Sequence, residues 1–571
     1  MRRLLIGVSR KIEYSMRQDF FSHLQRLDSS FFESNRTGSV MALITNDLDA
    51  VRNFLGPGLL NLFNTIFTFI STLIVMFLIS VKLTLYSLIA IPLLPLIVSR
   101  LSAMLYHRFK LSQEQYALLS ARTQESIAGI KVIKSFTQEK NETELFSRLN
   151  KDYINKNLAL ARVRSIFWPL MILIGGIGSL VVLWVGGIQV IARQLTLGQF
   201  VQFSAYIAAI TWPLISLGWV INLVQRGEVS MGRINKIFNM KPQIKEPAKS
   251  FKLTELKGNI VFKNVYFRYP KIASYELYID TEDVKNNKLI TNQKSNTIAR
   301  DSKKSTDNIN KNVGSKSISG SDYKNINTSN HWVLKNINFE ILPKMQLGIV
   351  GFTGSGKSTI VNLIPRLYEP QKGFIFIDGK DINYISLSVL RSNISYVTQD
   401  PFIFSKTIKE NIILGRETQL STLSEDKLNE KILDASKVSH LHDDVIGFPQ
   451  GYETLVGERG ITLSGGQRQR LAIARALITE PRILILDDSF SNIDTNTEEL
   501  ILKDLKAKTE SLTKIIISHR ISTIKDSDLI IVMDEGQIIE TGTHKELIKK
   551  CGVYQRLYYR QQLSEELKEE I

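Results

Sequence analysis

A glycine-rich segment in the second half of the chain carries the residue types best suited to bind phosphate. It consists of Gly351, Phe352, Thr353, Gly354, Ser355, Gly356, Lys357, Ser358 and Thr359. Glycines let successive backbone N–H groups wrap phosphate oxygens, the lysine neutralises their charge, and the serine hydroxyl is a ligand for Mg²⁺. An apolar run at 347–350 precedes this segment and a helix-compatible run at 360–367 follows it. The pattern therefore predicts a phosphate-binding loop between a strand and a helix.

Two adjacent carboxylates, Asp487 and Asp488, follow the aliphatic run 483–486. Four consecutive aliphatic residues favour a buried central strand of a parallel sheet, and ligands bind at the carboxyl edge of such sheets. Asp487 is therefore predicted to be the Mg²⁺ partner of the phosphate loop. The alternative, in which the two aspartates only cap the next element, is disfavoured by the presence of that loop.

A second anion-binding pattern lies between these two. It consists of Leu463, Ser464, Gly465, Gly466 and Gln467, and a helical run follows at 471–477. A serine and two glycines at the start of a helix present free backbone N–H groups to an anion. Two phosphate cradles with one metal carboxylate suggest that the second cradle serves a nucleotide held by another copy of the domain.

The order of these three patterns resembles the ATP-binding cassette of the ABC protein family, in which 463–467 corresponds to the signature. In that family two cassettes sandwich two ATP molecules, each between the phosphate loop of one cassette and the signature of the other. The resemblance implies ATP and Mg²⁺ as cofactors. It also implies a fold with an all-α polytopic membrane domain of the exporter type, N-terminally incomplete, followed by an α/β P-loop NTPase cassette.

The resemblance assigns roles to four further residues. Tyr269 is expected to stack on adenine, and Gln399 to contact Mg²⁺ and the attacking water. Asp494 would end the loop 491–494 that lies at the nucleotide interface, and His519 would sense the γ-phosphate. Asp488 takes the place of the catalytic base, so the predicted catalytic residues are Asp488, His519 and Gln399, with Ser358, Gln399 and Asp487 at the metal.

The first half of the chain has the composition of membrane helices. Of the 571 residues 44% are hydrophobic, and four long apolar stretches precede residue 230. A spanning helix needs ~20 apolar residues. The predicted membrane domain covers residues 1–235, and the predicted cassette covers 236–571. Within the membrane domain the predicted spans are 58–80, 82–101, 165–190 and 197–223, with cytoplasmic helices at 1–57 and 102–164.

Charge and cysteine content exclude several classes of protein. The net charge is +17, but the basic residues are spread along the chain without clustered aromatics, which favours a membrane protein with basic cytoplasmic segments over a nucleic-acid-binding protein. The two predicted hairpin turns hold few basic residues, so both termini and the cassette are expected in the cytoplasm. Cys551 is the only cysteine, which excludes an intramolecular disulfide and a multi-cysteine zinc site.

The sequence departs from the family pattern in three ways. Exporter halves have six membrane helices, and only four are predicted here, so the expectation is that two helices lie upstream or that the protein is truncated. An insertion at about 271–331 is rich in Asn, Lys, Ser, Thr and Asp and is expected to be disordered. Asp488 stands where the family usually has glutamate, which resembles the degenerate-site subunit of heterodimeric bacterial multidrug or lipid exporters.

The sequence thus predicts an ABC exporter half-transporter that uses ATP to export or flip a small amphipathic or lipid substrate. Its expected partners are membrane lipid and a second half-transporter, a different chain with glutamate in its site, and no nucleic acid. The expected location is the bacterial inner membrane, in multi-pass form with the cassette in the cytoplasm. The alternative is an N-terminally truncated, non-transporting remnant that still binds ATP.

Overall fold

The computed structural model describes residues 2–88, 93–251, 255–270, 332–420, 423–457 and 462–569. The predicted insertion at 271–331 lies outside these ranges, as do residues 89–92 of the predicted span 82–101. The chain forms two compact units. The first comprises Met1–Arg26 and Arg36–Lys241, and the second comprises Leu27–Asn35 and Pro242–Ile571.

The regular secondary structure among the described residues of the first unit is helical. Its α-helices are Arg2–Leu24, Thr37–Ala42, Leu48–Asn53, Leu59–Ile79, Val81–Leu88, Leu93–Ala128, Ile130–Ser135, Glu139–Val181, Gly187–Ile191 and Leu197–Phe238. Short π-helical segments at Leu43–Asp47, Phe54–Gly58 and Val182–Gly186 join consecutive helices. The segment Phe54–Gly58 contains Pro57, and the wider turn accommodates a residue that has no N–H to donate.

One continuous helical stretch among the described residues, Thr37–Ile79, which includes two of the π-helical segments, is long and apolar enough to cross a membrane. Two shorter apolar helices lie at Gly176–Ile191 and Leu197–Ile210. The helices around the predicted spans 165–190 and 197–223 extend well beyond them, to Glu139 and to Phe238. That these segments and 82–101 cross the membrane stays a prediction.

The long helices Leu93–Ala128 and Glu139–Val181 form a hairpin. Gln115 joins them, because its amide donates to Leu149 O at 3.2 Å and its carbonyl oxygen accepts from Lys156 Nζ at 2.8 Å. Gly129 is the only glycine between 102 and 164, and the first helix ends beside it. The predicted cytoplasmic region 102–164 thus contains two long helices with a break between Ala128 and Glu139.

The second unit contains two sheets. Its strands are β1 (Ile260–Phe267), β2 (Leu334–Ile341), β3 (Gln346–Gly351), β4 (Lys372–Ile377), β5 (Lys380–Asp381), β6 (Ile394–Val397), β7 (Ile483–Asp487), β8 (Thr513–Ile517), β9 (Leu529–Asp534) and β10 (Gln537–Gly542). The smaller sheet is antiparallel, in the order β2-β1-β4-β5. The larger sheet has the order β10-β9-β3-β8-β7-β6 and is parallel except for β10.

Three hydrophobic cores lie among the residues of the second unit that the structure describes. The first contains inward-facing residues of both sheets and of the helix Lys357–Leu363. The second lies against other side chains of the parallel sheet and includes Tyr554 of the C-terminal helix Val553–Glu569. The third is built from helices and contains Leu463 and Leu471. The helix that follows the phosphate loop and the signature thus contribute to different cores of one unit.

The remaining helices of this unit cover the sheets or form the helical core. They are Ser29–Ser34, Leu387–Ser392, Ile408–Ile413, Glu417–Leu420, Glu425–Val438, His442–Ile446, Gly465–Leu477, Thr495–Lys508, Ile521–Ile524 and His544–Lys549. The first of them belongs to the segment Leu27–Asn35, which folds with this unit although the sequence assigns it to the predicted membrane domain. Asp28 attaches it, because its carboxylate accepts from the backbone N–H groups of Gln243 at 2.7 Å and Ile244 at 3.2 Å.

Candidate nucleotide site

Four of the predicted site positions follow neighbouring parallel strands. The phosphate loop follows β3, Asp487 ends β7, His519 follows β8, and Gln399 follows β6. Parallel strands present their carboxyl ends at one edge of the sheet, and that edge is where ligands bind. The fold therefore places these residues along one edge of the larger sheet, although they are up to 168 positions apart in a chain of 571.

The phosphate loop has the backbone shape that its glycines allow. Gly354 and Gly356 have φ values of 82° and 96°, which favour glycine because it has no Cβ. A Cβ on Gly351 would lie 2.1 Å from Met533 O. The hydroxyl of Ser355 is buried and has no hydrogen-bond partner among the described residues. The loop is therefore a cradle shaped by close backbone approach, with a polar atom left unpaired inside it.

Lys357 lies in this loop with its side chain buried. Its ammonium group donates to the carbonyl oxygens of Gly351 at 3.0 Å and Phe352 at 2.8 Å. Burial lowers the pKa of Lys357, and the charges of Asp488 and Asp487 oppose that shift. A buried cation held mainly by two carbonyl groups is ready to exchange them for a phosphate anion, a stronger partner.

Ser358 and Asp487 form the predicted metal pair. Ser358 Oγ donates to Asp487 Oδ1 at 3.0 Å, and the Tyr396 hydroxyl lies 3.2 Å from Asp487 Oδ2. Burial raises the pKa of Asp487, while the hydrogen bonds from Ser358 and Tyr396 lower it. A hydroxyl and a carboxylate are hard oxygen ligands that fit Mg²⁺, which is usually bound by one or two carboxylates and substrate phosphates. The group of residues therefore fits this ion.

Asp488 and Gln399 face each other next to this pair. Gln399 Nε2 donates to Asp488 Oδ2 at 3.4 Å. Asp488 is 8% exposed, and its φ of 46° lies in the left-handed region, which aspartate adopts more readily than most residues. Its backbone N–H donates to Ile517 O of β8 at 2.9 Å. The second aspartate is thus fixed at the sheet edge with its carboxylate directed to Gln399.

Tyr269 lies next to the helix that follows the phosphate loop. Its hydroxyl is 3.1 Å from Thr359 Oγ1, and its ring makes edge contacts with Phe267 and Tyr368. The side chain remains 39% exposed. A partly exposed ring fixed at its edge can offer a face to a planar base.

The signature residues open the helix Gly465–Leu477 with a capping box. Ser464 Oγ accepts from Gln467 N at 3.2 Å, and Gln467 Oε1 accepts from Ser464 N at 3.0 Å. A Cβ on Gly466 would lie 2.9 Å from Asn492 O. The two glycines of the signature are therefore required for close contact with the loop 491–494, and Ser464 is exposed at the helix start.

A polar residue that sequence reasoning missed supports the loop 491–494. The buried Gln469 donates to Ser491 Oγ at 2.9 Å and accepts from Asn492 N at 3.0 Å. Asp494 caps the helix Thr495–Lys508 by accepting from Thr497 N at 2.9 Å, a bond that lowers the pKa of Asp494. Tyr396 was missed as well. A tyrosine at the end of β6 and a glutamine two residues after the signature were the available signals.

The fold and these residues define an ATP-binding cassette joined to a helical membrane region. The family model of the ABC transporter transmembrane region matches residues 2–214, and that of the ABC transporter matches residues 334–491. The chain belongs to the ABC transporter family, as a half-transporter of the exporter type in which one membrane region is fused to one cassette. It binds ATP, and its cassette couples ATP hydrolysis to transport. The predicted family, fold class and enzyme class are confirmed.

Individual relatives match nearly the whole chain. The probable multidrug resistance ABC transporter ATP-binding/permease protein YheI of Bacillus subtilis (strain 168) is 35% identical over 98% of this chain and 84% of its own length. The multidrug resistance-like ATP-binding protein MdlA of Escherichia coli (strain K12) is 33% identical over the same shares. A solved bacterial Atm1-family ABC exporter with ATP bound has a TM-score of 0.74 at 26% identity, covering 97% of this chain and 86% of that one. The chain is accordingly a membrane protein with a cytoplasmic cassette, and ABC exporters act as dimers.

Proposed function

We propose that this half-transporter exports or flips a small amphipathic or lipid substrate in a bacterial inner membrane. The names of the two relatives include multidrug resistance, and a multidrug substrate is typically amphipathic. The stretches 59–79, 165–191 and 197–223 contain no charged residue, so they offer apolar and uncharged polar surface. The hydrogen bond of 2.8 Å between Thr65 and Ser216 is of this uncharged kind.

We propose that the cassette holds Mg²⁺ through Ser358, Asp487 and Gln399. When bound, Mg²⁺ would neutralise the charge that develops on the phosphate during phosphoryl transfer. Asp488 lies next to Gln399 and accepts a proton from the attacking water, while His519 donates to the γ-phosphate. Lys357 and the partner's signature complete the charge stabilisation, which dominates this type of catalysis.

We propose that the partner is a different half-transporter with glutamate after its metal aspartate. The observation that carries this proposal is that aspartate stands at position 488, where the family usually has glutamate. Its carboxylate is one methylene shorter than that of glutamate, and a misplacement of roughly 1 Å can cost ~10²-fold in rate. The signature has its full sequence and a formed capping box, which supports a role for it at a partner site that hydrolyses ATP faster.

Two substitutions test this division of labour in the complex purified through a tag on this chain. Asp488→Asn should lower the steady-state ATPase rate less than twofold, because this site is already slow. Ser464→Ala should lower the rate at least tenfold, because Ser464 serves the faster site. Thr407→Ala is the matched control, because Thr407 forms an equivalent capping box with Glu410 outside the signature and should leave the rate nearly unchanged.

The composition of the complex is the second readout. Mass spectrometry should identify a different half-transporter with glutamate after its metal aspartate. Rapid hydrolysis by a complex of this chain alone, abolished by Asp488→Asn, would instead establish a homodimer in which aspartate is a competent base.

A further inference from the structure

The C-terminal helix Val553–Glu569 contacts the loop that carries His519. Gln561 Nε2 donates to His519 O at 2.5 Å, and Gln561 Oε1 accepts from Ile521 N at 2.8 Å. Ile521 is the first residue of the helix Ile521–Ile524, where a backbone N–H has no partner within its own helix. The side-chain amide of Gln561 thus bonds both the carbonyl group of His519 and the N–H group of Ile521, two residues further along the chain.

We propose that Gln561 is a positioning residue for His519, which it holds in the orientation that contacts the γ-phosphate. This proposal rests on the sensor role proposed above for His519. The side chain of His519 is exposed and forms no hydrogen bond with the described residues. Its direction therefore depends on the backbone on either side of it. The two bonds of Gln561 fix that backbone on the C-terminal side.

The helix that carries Gln561 is itself firmly attached. Tyr554 is fully buried in the second core, and its hydroxyl is 2.7 Å from His544 Nδ1. Glu540 accepts from the first backbone N–H groups of the helix, at 2.5 Å from Val553 N and 3.2 Å from Tyr554 N. Gln561 follows Tyr554 by seven residues, about two turns, and lies on the same helix face. The side-chain amide of Gln561 is therefore carried by a helix whose position is fixed.

Arg520 attaches the same loop to a different part of the unit. Its guanidinium donates to Glu498 Oε2 at 2.5 Å and to Ile493 O at 3.3 Å. Glu498 is 2% exposed, so this ion pair is fixed on the glutamate side. The two residues that follow His519 are thus attached to different elements, Arg520 to Ile493 and Glu498 and Ile521 to the C-terminal helix. Loss of the Gln561 bonds would leave the side chains of Arg520 and Ser518 to hold this loop, and neither of them bonds the backbone of His519 itself.

The test compares nucleotides with and without a γ-phosphate on the full-length chain in detergent. Gln561→Met removes both hydrogen bonds and keeps the length of the side chain. It should weaken the binding of the non-hydrolysable analogue AMP-PNP about three- to tenfold, the effect of losing a typical hydrogen bond, and leave ADP binding unchanged. Thermal unfolding should stay close to that of the wild type, because Tyr554 and Glu540 still hold the helix.

Gln562→Met is the matched control. Gln562 is exposed on the same helix, and its amide donates to Tyr558 within that helix at 2.9 Å. This variant should bind both nucleotides as the wild type does. His519→Ala should lose AMP-PNP binding selectively and by more than Gln561→Met.

Three results would overturn the proposal. Equal losses of AMP-PNP and ADP binding in Gln561→Met would mean a general structural role. Selective loss in His519→Ala with none in Gln561→Met would refute the role of Gln561 alone. Unchanged nucleotide preference in His519→Ala would refute the sensor role itself, and with it the proposal for Gln561.

Discussion

Individual side chains of the nucleotide site are held in place by strong local constraints. Asp487 is fixed by hydrogen bonds from two elements, Ser358 in the loop helix and Tyr396 on β6. Lys357 spans its own loop by bonding two carbonyl groups. Each of these groups is buried or nearly so, and burial makes an unpaired charge costly. The site is therefore prepared before any nucleotide binds.

Lys357→Ala should reduce ATP affinity by about 10- to 100-fold and leave the fold intact. A hydrogen bond to a charged group contributes about 1.5–3 kcal/mol, and the two carbonyl groups freed by the substitution lie in a loop built to bind other ligands. Nucleotide titration of the purified full-length chain measures the change. Lys506→Ala, on an exposed position of the helix Thr495–Lys508, is the control and should bind normally. Unchanged affinity in Lys357→Ala would refute the phosphate-loop assignment.

Helices of the first unit are joined by an ion pair whose carboxylate is buried. Asp47, at the end of the π-helical segment Leu43–Asp47, is 4% exposed. It accepts from Arg233 Nε at 2.9 Å, from Arg233 Nη2 at 2.5 Å and from Ser230 Oγ at 2.8 Å. Arg233 and Ser230 belong to the helix Leu197–Phe238. This bidentate pair fixes the rotation of the two helices relative to each other, because a guanidinium and a carboxylate bind in one plane.

Arg233→Met should destabilise the first unit by on the order of 2 kcal/mol, since Asp47 would remain buried without its cation. The partial exposure of Arg233 keeps this effect below that of a fully enclosed pair. The double variant Asp47→Asn with Arg233→Met removes the charge as well and should recover most of the loss, because asparagine still accepts from Ser230. Thermal unfolding in detergent measures the stability of the single variant and of the double variant. An additive effect of the two substitutions would contradict this account.

The whole chain carries one large addition to the cassette, the insertion at about 271–331, which lies outside the described residues. Its two ends are attached to neighbouring strands, because Phe267 of β1 pairs with Leu334 of β2. Val333 N also donates to Phe267 O at 2.8 Å. A short connection is enough to join antiparallel neighbours, so the cassette does not need the insertion to close this sheet.

Deletion of residues 275–328 should leave ATPase activity within a few-fold of the wild type. Shortening a connection changes its closure entropy only slowly with length, and β1 and β2 keep their register. The measurement is the steady-state ATPase rate of the full complex with and without the segment. A control that replaces 275–328 with an equally long Gly/Ser sequence separates length from composition. Loss of activity in both variants would show that the insertion has a function of its own.

The sequence alone was enough to predict the chemistry of the nucleotide site. The phosphate loop could be predicted because its glycines, Lys357 and Ser358 lie within one short segment, and local spacing fixes their geometry. Asp487 could be predicted because an aliphatic strand that ends in a carboxylate has few other uses in an α/β fold. The family resemblance supplied Tyr269, Gln399, Asp494 and His519, whose partners lie far away in the chain.

Only the tertiary structure decided which distant residues support that chemistry. Gln561 and Gln562 are adjacent glutamines on one helix, and nothing in their order indicates which of them reaches His519. The burial of Tyr554 sets the rotation of the helix and selects Gln561. The hydrogen bonds of Gln469, Tyr396 and Glu498 likewise join residues that lie far apart in the chain. A side-chain hydrogen bond acts over about 3 Å, so its partners are fixed by how whole elements pack and not by local spacing.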